Sequence, residues 1–446
     1  MSTAQTETRH SQQDMDKTMW PPPRSREVAL FTDLTLYAET LALAQEHGTV
    51  TMASLQGQLK QRMQKMRLVW RQSKRTVGRL MRELRNFGWL QPRRKGQERV
   101  STAPHVITPE GQRALNIARK DGREFRRLLT IKMHEIYVIP GWFVNRLWLI
   151  NPEGQGEIVI PAPLSAWRSS SRHWDDHEWD TDLRHQTLKV AHNVQRVNPT
   201  AFPVADKDWL AAVQEAWERL STLNPRRPPG RKAVSYSPRS RLSLAMREAS
   251  VKLLFDLVPY EYKQPDFPGE RPPIYLRTFM AWCPRLEALE LIFYTDRHPQ
   301  INGRLLFPTS VFRFTAPTSR FEQVREIIHP NGASLWLHQP EWDEIRTPFV
   351  QTLIEVHRRI SKSSGSLYVS LLDVRDEVCR QLRLSSSCFD HLLEQTMREL
   401  PSEDFPWSIA AETDVREDQS GGAGQMRRPV YLQNVPHSLI ALARPS

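Results

Sequence analysis

Arg75, Arg79, Arg82 and Asn86 recur at i, i+4, i+7 and i+11, which places three guanidinium groups and one carboxamide on a single helix face, with Lys74 and Arg85 at its flanks. Guanidinium forks donate bidentately to phosphate oxygens and to guanine O6 and N7. A carboxamide pairs in the same manner with adenine. A second basic group follows at once: Arg93, Arg94, Lys95 and Arg99, around Gly96. These ten residues form the candidate DNA-contacting set. They lie in residues 60–99, where fourteen cations oppose only Glu83 and Glu98, an excess equal to the formal net charge of the whole 446-residue chain, +12. Charge gathered into one stretch, with a near-neutral remainder, is the pattern of a face that meets a polyanion. A basic helix face can also be plain solvated surface, or lie on a membrane or an acidic partner.

Two other groups carry chemistry-bearing side chains. His173 and His177 are four apart within a segment, 167–192, rich in Trp, His and Asp, including Trp179, Asp180, Asp182, His185 and His192. On a helix that spacing aims two imidazoles at one metal. The competing reading is a polar segment whose tryptophans anchor it to a core, because no known ligand spacing is completed. Asp256, Glu261 and Lys263 approximate a nuclease set, but they also read as surface charge at the end of an apolar helix. There is no GxxxxGK[ST] phosphate loop and no GxSxG elbow. The expectation is therefore a protein without catalytic residues, metal or cofactor, and a metal-dependent nuclease is the enzymatic alternative.

The elements that must position the basic face can be read locally. Val77, Leu80, Met81 and Leu84 fall at i, i+3, i+4 and i+7 and give the helix an apolar stripe. Ser73 is placed to cap its start and Gly88 to end it. Residues 89–91 read as a short strand, 92–97 as a basic turn, and 106–107 as the end of a return strand. A further helix then starts at 108–113, with Pro109 in its first turn. Upstream, 28–46 and 51–64 read as helices with Leu36, Tyr37, Leu41, Leu55 and Leu59 inward. Residues 63–70 are either a continuation of the second helix or a basic loop.

The motifs "SKRTVGRLMRELRNFGWLQ", a basic wing and "ITPEGQRAL" make residues 28–121 resemble the bacterial winged helix-turn-helix DNA-binding proteins. The resemblance implies that the helix bearing Arg75, Arg79, Arg82 and Asn86 enters the major groove, while a wing carrying Arg93, Arg94 and Lys95 touches phosphates or the minor groove. It covers under a quarter of the chain.

The expected fold class is α+β: a winged helix domain over 28–125 after a disordered tail at 1–27, a central mixed α/β body at 126–345, and a winged-helix-like domain at 346–446. In the centre, 135–139, 146–150, 157–160, 274–276, 289–294, 304–307 and 334–337 read as strands, while 209–220, 242–258 and 320–328 read as helices. The Pro- and Arg-rich 221–241 reads as a loop, or as a basic arm on phosphate. In the last hundred residues, 348–360, 371–384 and 387–400 read as helices, and 408–411 pairs with 429–432 around a glycine-rich wing at 417–425. The third of those helices offers Asp390, Glu394 and Glu399 against Arg398, a poor face for DNA, so this part is expected to bind protein or its own central body. Two winged units in one chain also resemble plasmid replication initiators.

Cys283, Cys379 and Cys388 form no CxxC pair, which argues against a zinc ribbon or a disulfide framework and for a reducing cytoplasm. The most apolar run, 136–150, is too short and too interrupted to span a bilayer. Taken together, the sequence points to a non-enzymatic double-stranded DNA-binding protein. It fits an accessory subunit of a multiprotein bacterial DNA system, such as phage defence or a mobile element, with a protein partner or a second copy bound through the central and C-terminal parts. A transcription regulator is the nearest alternative.

Overall fold

The computed structural model describes residues 34–65, 74–94, 103–137, 139–151, 156–163, 179–222, 238–255, 276–295, 298, 301, 303–309, 312–313, 324–328, 334–338, 342–413, 430–432 and 435–443. They build a mixed α and β protein dominated by helices, with small antiparallel sheets. The chain divides into two compact units. One is Val28–Pro140 with Ile327–Ser334; the other holds Gly141–Glu326 and Leu335–Ser446.

The smaller unit runs α1 (Thr35–His47), α2 (Met52–Lys65), α3 (Lys74–Asn86), β1 (Leu90–Pro92), β2 (His105–Ile107), α4 (Pro109–Lys120) and α5 (Gly122–Ile136). Its core follows from the spacing of the apolar residues. Leu36, Tyr37 and Leu41 of α1, Leu55 and Leu59 of α2, and Val77, Leu80, Met81 and Leu84 of α3 are all buried. The strands pair antiparallel with Leu90 opposite Ile107 and Pro92 opposite His105. Val50 bridges to His105, which ties the α1–α2 link to the hairpin. Thr108 caps α4, its hydroxyl accepting from the Gly111 amide at 3.0 Å, and Pro109 fills a first-turn site where no amide is needed.

The larger unit begins in α6 (Ile139–Ile150) and continues through β3 (Ile158–Pro161), α7 (Thr181–Val197), α8 (Asp206–Thr222), α9 (Pro238–Phe255), α10 (Leu276–Ala288), β4 (Ile292–Thr295) and β5 (Gly303–Pro308). Then come β6 (Phe312–Arg313), β7 (Val324–Ile328) and β8 (Ser334–His338), of which Ile327, Ile328 and Ser334 fall in the smaller unit, and α11 (Trp342–Ser364), β9 (Val369–Ser370), α12 (Leu371–Leu382), α13 (Ser386–Glu399), β10 (Ser408–Glu412), β11 (Val430–Leu432), β12 (Val435–His437) and β13 (Leu439–Ala443). β5 is the middle strand of an antiparallel sheet, with β3 and β4 beside it. Phe143 of α6 stacks on Phe279 of α10 at 4.8 Å, and Phe255 of α9 lies 4.7 Å from Phe279.

Several expectations change. Residues 135–136 close α5 and 146–150 lie in α6; these are helices, not strands, and Phe143, Val144 and Leu147 are buried in α6. Val324–Ile328 is a strand where a helix was expected, and Leu276 opens a helix where a strand was expected. The Pro- and Arg-rich region is not all loop: Ser221 and Thr222 finish α8, and Pro238 to Arg241 form the first turn of α9. Arg241 is no solvent-facing arm. It is buried, donates to the Trp217 carbonyl at 2.6 Å and lies 4.0 Å above the Trp217 ring. At the C-terminal end β10 pairs with β13, Ser408 opposite Ala443, and not with β11, which pairs with β12. Asp390 of α13 is buried within 3.9 Å of Arg375, so it is not part of an acidic outer face.

The C-terminal helices are joined to the central sheet by buried polar groups. Glu157, which is 3% exposed, accepts from Arg380 Nη2 at 3.1 Å and from Asn198 Nδ2 at 2.7 Å, and Arg383 lies 3.6 Å away. Thr295 of β4 donates to Asp376 of α12 at 3.2 Å, and the Ser386 amide donates to Glu287 at 3.2 Å.

Candidate nucleic-acid interface

α3 is the element around which the basic residues gather. Its end is built by local chemistry. Gly88 takes φ +74°, its amide donates to the Arg85 carbonyl at 2.9 Å and the Trp89 amide donates to the Leu84 carbonyl at 2.9 Å. This six-to-one and five-to-two pair closes the helix and needs a residue that tolerates positive φ, which glycine does at no cost. The chain then turns straight into β1. Gly78, buried on α3, lets Met52 of α2 approach its backbone; a Cβ there would stand 2.6 Å from the Met52 sulfur.

Arg82 and Asn86 are exposed on α3, and Arg79 and Arg85 are half-buried. Lys74 and Arg75 occupy its first turn. Arg93 and Arg94 are exposed just past β1, where the Arg93 amide donates to the Pro104 carbonyl at 2.9 Å and holds the hairpin closed at that point. Lys95 and Arg99 lie outside the described residues, as do His173, His177, Asp256, Glu261 and Lys263. Of the tryptophan- and histidine-rich segment, Asp180 is the cap of α7, His185 is exposed on α7, and His192 pairs with Asp206 at 2.8 Å. Among the described residues no cluster of His, Cys, Asp and Glu could hold a metal ion.

The acids of the smaller unit are turned to internal work. Glu39 and Glu46 of α1 both bind Arg62 of α2, Glu39 at 2.7 Å, and Arg62 holds the Glu46 carboxyl below its usual range. Glu110 and Glu135 share Lys132, each at 3.1 Å. Glu124 pairs with Arg127 at 3.1 Å, and Asp121 caps α5 by accepting from the amides of Arg123 and Glu124. Glu83 is 3% exposed: its carboxylate accepts from Tyr37 at 2.5 Å and from Tyr137 at 2.8 Å. The sequence count set Glu83 against the cations of its helix. In the structure it points inward and leaves the outer face to the arginines. Its position in the sequence gives little sign of this: it stands at the border between the Leu80–Leu84 stripe and the Arg79–Asn86 side, four residues from Arg79 and three from Asn86.

The opposite holds for the cations on the outside. Among the described residues, no carboxylate lies within ion-pair distance of Lys60, Lys65, Arg82, Arg93 or Arg94, all of them exposed. His105, at the base of the hairpin, is buried with Nδ1 2.9 Å from the Ala103 carbonyl. Burial lowers its imidazole below the ordinary range against the pull of that carbonyl, and Arg85 adds to the lowering. The hairpin base is thus held by an imidazole whose protonation is disfavoured beside a basic helix.

No helix among the described residues is long and apolar enough to cross a membrane. Comparison with protein-family models, with characterised proteins and with solved structures returned no match.

Proposed function

We propose that the chain is a non-enzymatic double-stranded DNA-binding protein whose smaller unit is a winged helix domain. In this reading α3 enters the major groove and the β1–β2 hairpin follows the backbone. The order of three helices, an antiparallel hairpin and a following helix supports it. One observation carries it: every described acid of the unit is consumed by an internal partner, while the exposed Lys60, Lys65, Arg82, Arg93 and Arg94 have no described carboxylate within ion-pair distance. Cations left without counter-charges on one surface attract a polyanion, and phosphates spaced along a duplex are anions that a helix face of this length can engage.

The larger unit, with its C-terminal helices bonded into the central sheet, serves as a body for a protein partner or a second copy. That suits an accessory subunit of a multiprotein bacterial DNA system better than a compact repressor.

The test is binding of the full chain to duplex DNA across a salt series. Replacing Arg82, Arg93 and Arg94 together with alanine lowers the slope of log affinity against log salt by about 0.9 for each phosphate that is no longer neutralised, and costs about 1–3 kcal/mol for each base edge that is no longer bonded. Unchanged affinity and slope would overturn the assigned face.

A further inference from the structure

The smaller unit carries a second stripe of the same chemistry on α4. Arg113, Asn116 and Lys120 are all exposed and fall at i, i+3 and i+7, the spacing of Arg79, Arg82 and Asn86 on α3. Gly111, Ala114 and Leu115 occupy the buried side of the helix, so the stripe is the outward one. The only acid of α4, Glu110, is drawn off to Lys132 at 3.1 Å, and no described carboxylate lies within ion-pair distance of Arg113 or Lys120. Asn116 Oδ1 accepts from Gln112 at 3.2 Å, which orients the carboxamide and leaves its amide hydrogens for an outside acceptor.

The junction between the two helices brings the start of α4 to the end of α3. The Thr108 hydroxyl donates to the Gly88 carbonyl at 2.6 Å and its amide to the Trp89 carbonyl at 3.0 Å, so α4 starts where α3 ends. Arg113 stands about one helical turn beyond that junction, and the stripe then runs for about two more turns, roughly 10 Å. With a rise of 3.4 Å per nucleotide, about three phosphates of one DNA strand fit along that length.

We infer that the Arg113–Asn116–Lys120 stripe binds the sugar-phosphate backbone of the same duplex beyond the part held by α3, which makes the footprint of the smaller unit longer than one reading helix requires. The inference rests on the DNA-binding reading above. The stripe reads no sequence: two cations and an oriented amide on exposed positions are phosphate chemistry, not base-edge chemistry.

The experiment compares the full chain with its Arg113→Gln/Lys120→Gln variant, both on a duplex of about one helical turn and on one of about three turns, each across a salt series. Both positions are exposed, and equal melting by circular dichroism shows that the variant is folded. The expected result is a salt slope lower by about two on the long duplex and unchanged on the short one. No change on the long duplex, or an equal fall on both, overturns the flanking contact; the first result would reassign the stripe to an acidic protein partner. The Arg82, Arg93 and Arg94 variant run in parallel keeps the two proposals apart. If it loses affinity on both duplexes while the α4 variant loses none on either, the DNA-binding reading stands and the flanking contact fails. If it loses affinity on neither, the DNA-binding reading itself has failed.

Discussion

Tyr137 donates its hydroxyl to Glu83 across 54 residues of sequence, at 2.8 Å, while Tyr37 donates to the other carboxylate oxygen. The inner side of α3 is therefore held by α1 on one oxygen and by the C-terminal cap of α5 on the other. A buried carboxylate that loses one donor keeps its desolvation cost without its compensation.

Tyr137→Phe is accordingly expected to destabilise the protein by about 1–3 kcal/mol. Because no cation is removed, its salt slope on duplex DNA matches the wild type while its affinity falls as α3 loses its anchorage. Denaturant melting read alongside the binding series checks both. A changed slope would mean that Tyr137 touches the nucleic acid itself.

Gly111 is a close-approach glycine. A Cβ there would stand 2.2 Å from the Trp89 carbonyl oxygen, and both are backbone-positioned. Gly111→Ala must push α4 off the hairpin and is expected to cost about 3 kcal/mol. Gly122→Ala, at the exposed start of α5 with nothing within 4 Å of a new Cβ, is the control and should be neutral or mildly stabilising. Thermal melting of the two side by side decides the matter.

Arg380→Ala leaves Glu157 buried, with Asn198 and the more distant Arg383 as its remaining partners. Removing one side of a buried pair costs about 3 kcal/mol, less whatever Arg383 recovers. Replacing Glu157 and Arg380 together with Gln and Met should cost less than Arg380→Ala alone, because no charge is then left unpaired. A larger loss in the double variant would refute the pairing.

His298 gives the larger unit an acid-side sensitivity. Burial, with Arg380 nearby, lowers its imidazole from 6.5 to about 4, and Glu157 and Glu377 pull the other way. The unfolded chain takes up this proton first as pH falls, so the stability from neutral burial is full above about 6.5 and is lost on descent toward 4. That loss amounts to about 2 kcal/mol by pH 5. Glu248 works in the opposite sense. Burial raises its carboxyl to about 7 against the pull of Arg219, so its contribution falls as pH rises from 4.5 to 7. His298→Asn, which keeps an acceptor for the Ile301 amide, should flatten the acid side of the denaturation profile; Glu248→Gln should flatten the neutral side.

The parts of the fold that could be read in advance are those where one face is buried and the other is wet. α3 was expected between Ser73 and Gly88 and spans Lys74–Asn86, and its four stripe residues are all buried. Pro109 and Gly88 marked their boundaries because each has a backbone reason to be there. The misreadings have separate causes. In 146–150 the run Arg-Leu-Trp-Leu-Ile has no polar face whose period could distinguish helix from strand, and aromatic neighbours favoured strand. Val324–Ile328 failed the other way, since Arg325 and Glu326 mimic the polar side of a helix. The β10–β13 pairing joins residues about thirty apart, and nothing local specifies it. For the interface, the cations were legible as a cluster, but which acids would be withdrawn from them was not: Glu39, Glu46 and Glu83 find partners 23, 16 and up to 54 positions away.

β13 lies between β10 and β9, with Ile440 opposite both Ala411 and Val369. During synthesis the two outer strands are therefore made before the strand that joins them. Until Leu439–Ala443 leaves the ribosome, β9 and β10 have no partner in this sheet, and each presents an open row of amides and carbonyls to whatever chain passes by. A nascent chain stalled just short of Leu439 holds both outer strands of this sheet with the strand between them still missing.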